Sequence, residues 1–364
     1  MRTLPVITDP VYVEKTLTPA DVFFMRFIKD KRDLPFVYLI IRICVVLLPL
    51  AALIYTNVFT GILWWVLVIA YQVINFLFRA PWGLMIHSIS HRPLFKKQHK
   101  YLHHILIWIV GPFLGHSPET YFAHHMGMHH AENNMPDDQS STMPYKRDSF
   151  LQFVKYEFLF LMMGFKNLIA YLGNKKRKRL QVNAFAGEML FVLFCVLMCF
   201  VNFGATMAVF VVTFIISRLI AMVGNWTQHA FVDQHDPANP YKNAITCINI
   251  KYNHKCWNDG YHTSHHERPA LHWTDHPANF LATLDKYETN KALVFADADY
   301  VKIVVNLFLK RYHVLARYIV NINERTFAND DEIIALLKER TQKFSISTAI
   351  ADDKSGYYLQ DAIA

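Results

Sequence analysis

Nine of the nineteen histidines in this chain fall into short clusters whose spacing suits metal ligation. The clusters read His87-Ser-Ile-Ser-His91, His125-Met-Gly-Met-His129-His130, Asn225-Trp-Thr-Gln-His229 and His262-Thr-Ser-His265-His266. A helix advances about 100° per residue, so His87 and His91 share one face and can grip one ion. His262, His265 and His266 fan across about 100° of a helix, and His125, His129 and His130 spread further. One member of each triplet can therefore reach a different ion. Neutral imidazole is the commonest metal-ligating side chain. Nine imidazoles are too many for one tetrahedral zinc. Divided between two metals they supply four or five nitrogens each, which suits iron and leaves positions open to dioxygen. One HxxxH pair on an apolar helix is a weak signal; four clusters together are a strong one.

The elements that must position these residues are those of a membrane protein. The chain has 364 residues, 53% of them hydrophobic and 15% aromatic, with positive mean hydropathy. The apolar excess lies in blocks. Taking about 20 residues per bilayer crossing, we expect four spans, at about 36–55, 59–78, 184–203 and 205–224. The turns Thr56-Asn57-Val58 and Gly204 are too short to separate them widely, so the spans pair into two hairpins. Lys29, Lys31, Arg32, Lys96, Lys97, Lys100 and the run Lys175 to Arg179 flank the opposite ends. By the positive-inside rule both termini and the middle loop are cytoplasmic. The four histidine clusters then emerge on that same side, although the histidines played no part in deriving the topology.

The expected fold is thus an all-α integral membrane protein, four transmembrane helices in two hairpins under a cytoplasmic helical cap that carries the histidines. Residues 1–35 form a cytoplasmic segment with no cleavable signal peptide. Residues 36–280 form the membrane domain, and 281–364 the C-terminal helices and tail. Leu102 to Leu114 and Phe150 to Leu172 are apolar but interrupted by His, Lys or Glu, and are expected as interfacial or re-entrant helices. Soluble helices are expected over Tyr300 to Val320 and Asp331 to Arg340, the latter capped by Asn329 or Asp330. The tail from Thr341 is expected to be loosely ordered. The net charge of +8 sits beside apolar blocks, fitting an anionic membrane surface rather than nucleic acid. Cys44, Cys195, Cys199, Cys247 and Cys256 form no zinc-like CxxC pair, and no disulfide framework is expected.

The histidine pattern resembles that of the membrane fatty acid desaturase/hydroxylase superfamily: HxxxH or HxxxxH, then HxxHH or HxxxHH, then a final HxxHH. The likeness covers roughly Phe36 to Pro277. His124 could replace His125 by a one-residue shift; His125 gives the HxxxHH form. The superfamily's further histidine, after the fourth span, is matched by His229. In acyl-CoA desaturases an asparagine four residues earlier faces one iron through water, a spacing that Asn225 reproduces. The resemblance implies two irons (Fe2+/Fe3+) held by His87, His91, His125, His129, His130, Asn225, His229, His262, His265 and His266, with dioxygen as co-substrate. It implies a fatty acyl substrate, as acyl-CoA or acyl-lipid. Removing two hydrogens from the chain gives an alkene, the desaturase outcome; inserting oxygen gives an alcohol, the hydroxylase alternative. No His-Pro-Gly-Gly motif occurs, so a separate electron donor is expected, such as cytochrome b5 or ferredoxin with its reductase. The location would be endoplasmic reticulum or a bacterial inner membrane.

Ligating histidines need a partner on the second ring nitrogen, and Glu132, Asp137, Asp138, Asp233, Asp259 and Glu267 lie near the clusters. Trp226, Trp257 and Trp273 would line an acyl tunnel or belt the interface. Arg42 and Arg218 fall within expected spans, where a charge is costly and signals function or snorkelling. A transporter would carry its ionisable groups at mid-span; these histidines lie outside the spans.

Overall fold

The computed structural model describes residues 1–56 and 58–345, so Asn57 and the tail from residue 346 lie outside it. The chain is mostly helical, with one two-stranded parallel sheet in which Thr246–Ile248 pairs with Val294–Ala296. That sheet qualifies the all-α expectation. Three-residue strands carry too short an alternation to read from sequence.

Three helical runs are long and apolar enough to cross a membrane: Lys31–Tyr55, Gly61–His91 and Lys178–Gln228. Between 17% and 33% of the residues in their most apolar stretches are buried by protein. The rest present side chains such as Ile62, Trp65, Leu77 and Phe200 outward, a surface that is stable only against lipid. The helix Gly61–His91 outruns the expected second span by 13 residues and carries His87 and His91 on its last turns. The third run has 51 residues, roughly 75 Å at 1.5 Å per residue and more than twice a hydrocarbon core. It is broken at Asn202, whose backbone leaves helical space (φ −158°, ψ 104°). There the Asn202 side chain accepts from Ala205 N at 3.0 Å and its carbonyl from Thr206 Oγ1 at 2.8 Å. Asn202 therefore starts the second segment as a cap, two residues before Gly204.

The chain divides into two compact units. One comprises residues 13–127 and 169–220. Within it Trp64 Nε1 donates to Ile54 O (3.2 Å) and Gln72 Nε2 to Ala208 O (2.6 Å), fastening the apolar helices by polar groups buried on their inner faces. Arg218 is an ion pair, with Nη2 2.8 Å from Glu188 Oε1. Ser117 Oγ (2.5 Å) and Thr120 Oγ1 (2.9 Å) donate to the same carboxylate. The charge expected to be costly is thus neutralised in place. Arg42 is exposed and donates to Tyr38 O. Gly115 holds φ +80°, and a Cβ there would stand 2.4 Å from Thr213 O, so no other residue fits.

The other unit comprises residues 1–12, 128–168 and, among the described residues, 221–345. Its core gathers Phe231, Phe295, Ile303, Leu307, Leu315, Ile333 and Leu337 around the small sheet. The expected helix Tyr300 to Val320 is instead Tyr300–Phe308 and Tyr312–Ala316, separated at Lys310, which adopts φ +55°. The helix Asp330–Glu339 begins as expected: Asn329 accepts from Glu332 N at 2.9 Å. Residues 1–12 are a strap on this unit, with Asn321 N donating to Arg2 O (2.8 Å) and Met1 N 3.3 Å from Asp330.

Candidate metal centre

Within the second unit, His129, His229, His262 and His266 are all buried, and one ring nitrogen from each lies within 4.8 Å of the others. His129 ends a π-helical turn (His125–His129), His229 directly follows the helix Val212–Gln228, and His262 and His266 sit one turn apart on His262–Glu267. Sequentially remote segments thus converge.

The hydrogen bonds fix which nitrogen faces inward. His129 Nδ1 is 2.7 Å from Asp138 Oδ2. That carboxylate also accepts from Ser140 N (2.8 Å), Ser140 Oγ (2.6 Å) and Asn134 N (3.2 Å), so it is held still. His229 Nδ1 is 3.0 Å from both the backbone O and the Oδ1 of Asn243. A carboxylate and a carbonyl can accept only, so both histidines carry their proton on Nδ1 and turn the Nε2 lone pair to the cluster. Burial first, then the neighbouring His129, pushes His229 down to about 4, which keeps it neutral at pH 7. His262 Nε2 lies 3.2 Å from His229 Nε2 and 3.0 Å from His266 Nε2. Bonds of about 2.1 Å meeting at right angles would place neighbouring nitrogens about 3.0 Å apart. Buried, neutral donors at that separation fit a transition-metal ion.

The same unit also pairs His130 Nε2 with His265 Nε2 at 2.9 Å, both buried. In the first unit His91 Nε2 stands 3.0 Å from His125 Nε2, and the His87 ring centroid is 4.4 Å from that of His125. His125, rather than His124, takes this place beside the first cluster. Asn225 donates its Nδ2 to Ser140 O and to Tyr156 Oη, each at 2.8 Å, which fixes its amide plane.

Of the six carboxylates near the clusters, Asp138 holds a cluster histidine. Asp233 pairs with Arg340, Asp259 accepts from Gln228 and Tyr252, and Glu267 accepts from Tyr241 and pairs with Lys286. Trp226 is fully buried, its Nε1 donating to Arg147 O (3.1 Å), while Trp257 and Trp273 pack edge to face. Sequence reasoning missed Asn243, which lies 14 residues beyond His229 with no periodic relation to it. His276 Nδ1 lies 2.9 Å from Ser264 Oγ, inside the fourth cluster.

Asp9 was missed too. Its Oδ2 accepts from Tyr261 Oη and Asn249 N, each at 2.7 Å, and its Oδ1 from Asn253 Nδ2 at 3.0 Å. Tyr261 is the residue at which the helix His262–Glu267 begins. Gly260, beside it, has no room for a Cβ: Cys247 O and Asn253 Oδ1 would each lie 2.4 Å away. The N-terminal strap therefore clamps the loop that launches the fourth cluster.

Membrane-length apolar helices and converging buried imidazoles fit a helical membrane protein whose histidines could hold a metal ion. The fatty acid desaturase family model matches residues 62–297, and the chain belongs to that family. This makes the activity that of a desaturase or a related hydroxylase. No curated protein and no solved structure matches the chain.

Proposed function

We propose that the protein is a membrane-bound non-haem di-iron oxidase that inserts a double bond into a fatty acyl chain. The observation that carries this reading is the buried set His129, His229, His262 and His266, with the inward lone pairs of His129 and His229 fixed by Asp138 and Asn243, in a member of the desaturase family. These four would hold one iron. The family's two-iron chemistry implies a second iron on the remaining histidines of the four clusters, and Asn225 would face one iron through a water on its Oδ1. Bound iron, with dioxygen and external electrons, supplies the oxidant for removing hydrogen from an unactivated methylene.

This chain's own residues do the positioning. Asp138 and Asn243 keep the Nδ1 protons of His129 and His229, so Nε2 stays free to ligate. Full burial of His229 and Trp226 keeps bulk water away from that side of the site. The acyl substrate would arrive as acyl-CoA or acyl-lipid, and a separate donor, cytochrome b5 or ferredoxin with its reductase, would deliver electrons. The reading keeps four spans in two hairpins, both termini cytoplasmic, and a site facing the cytoplasm.

Lipid profiling of a host expressing the protein tests the reaction. Chains with new double bonds support it, and H265A should abolish them while leaving membrane insertion intact. Unchanged lipids despite an iron-loaded enzyme and a supplied donor would overturn the proposal. Hydroxylated chains would replace it with the hydroxylase.

A further inference from the structure

The helix Tyr300–Phe308 was expected to be soluble, yet it is apolar around most of its circumference. Ile303, Val304 and Leu307 face the protein and are buried. Val301 (66% exposed), Val305 (48%) and, just past its end, Leu309 (54%) recur every fourth residue and face outward. A helix apolar on nearly all sides is stable when something covers each side. Among the described residues nothing covers this stripe.

Its neighbours say what does. Val304 and Phe308 pack in one cluster with Phe153, Tyr156, Met222 and Trp226. Met222 and Trp226 are the last turns of the membrane-length run Lys178–Gln228, so the helix Tyr300–Phe308 is fastened to the end of a bilayer-crossing element. The Phe308 ring touches Phe150 and Phe153 (centroids 5.5 and 5.3 Å). On the helix Phe150–Asn174, Phe150, Val154 and Phe158 form a second outward stripe, 60%, 43% and 61% exposed, bordering that seam. Between Tyr300 and Val320 the sequence carries Lys302, Lys310, Arg311 and Arg317, all exposed, and no acidic residue. An apolar face rimmed by exposed cations matches the acyl–headgroup boundary of an anionic leaflet.

We propose that Val301, Val305 and Leu309, continuing the stripe of Phe150, Val154 and Phe158, form a face that lies in the lipid–water interface and seats this unit on an anionic membrane. The inference rests on the membrane reading and is independent of the reaction catalysed. Its consequence is that the C-terminal region is a second attachment to the bilayer, beyond the spanning helices.

The test uses the full chain with the partly exposed Cys44 and Cys199 replaced by Ser. One cysteine is placed at Val305, Leu309 or, as a control on an exposed polar surface, Glu324, and labelled with an environment-sensitive dye. The protein is reconstituted into phosphatidylcholine vesicles containing a minority of phosphatidylglycerol. The dye at 305 and 309 should shift to the blue and be quenched at least about two-fold by brominated phosphatidylcholine, against no quenching at 324. Omitting phosphatidylglycerol should weaken that quenching. Equal, low quenching at all three positions would overturn the proposal, since the face would then meet water. A dye shielded at 305 yet untouched by brominated lipid, and exposed on dilution, would overturn it in favour of a second copy of the chain.

Discussion

His129, His229, His262 and His266 are brought together from three sequentially remote segments and are all buried, and two of them lean on groups that fix their tautomer. His87 and His91 come from one turn of one helix, and His91 is half-exposed. Helical spacing puts the second pair on one face. The first group depends on a network running through Asp138, Ser140, Asn134 and Asn243. Two parts of one histidine pattern thus owe their geometry to different physics. One rests on local periodicity, the other on tertiary hydrogen bonding.

That contrast ranks the mutations. D138N should have the largest effect, since it loosens His129 and lets its proton move to Nε2. We expect roughly a 10–100-fold loss of metal affinity and activity. N243A should cost less, because the Asn243 backbone carbonyl still accepts from His229 Nδ1. Metal titration of the two variants against wild type checks this, and equal losses would contradict the asymmetry.

D9A comes next. It strips Tyr261 and Asn253 of a shared buried acceptor, costing roughly 1–3 kcal/mol. It should lower the thermal midpoint in detergent and weaken metal retention at His262 and His266 more than it disturbs His87 and His91. Site-resolved cobalt spectra on the variant would reveal whether the loss is confined to one group.

The smallest effect on metal binding belongs to Glu157, buried with neither carboxylate oxygen bonded among the described residues. Burial pushes its carboxyl from 4.5 to about 8. A folded pKa above the unfolded one means the folded state holds the extra proton. The stability this lends is complete below pH 4.5 and is lost as pH rises through 8. E157Q should therefore melt with wild type at pH 5 and a few degrees above it at pH 8.5. Parallel melting at both values would remove Glu157 from the account.

Much of the fold was legible because its signals are local. Apolar runs gave the helices Leu34–Tyr55 and Gly61–His91, and the N-cap at Asn329 was correctly placed. The i, i+4 spacing of His87 and His91 is a property of one helix, and it survives unchanged. What stayed hidden was long-range. Asp9 and Asn253 are 244 residues apart, a separation at which no periodicity reports contact. Asn243 acts partly through a backbone carbonyl, which every residue possesses. The outward stripe on Tyr300–Phe308 shows the same limit, because sequence shows that a face is apolar and not what covers it. Arg218 looked anomalous alone and makes sense once Glu188 is beside it.

The central claim is that these histidines hold two irons, and counting iron in the purified full-length protein tests it most directly. Wild type should carry about two irons per chain. The variant H262A/H266A should lose about one and keep the other. A folded wild-type protein that binds no iron with every histidine intact would contradict the account.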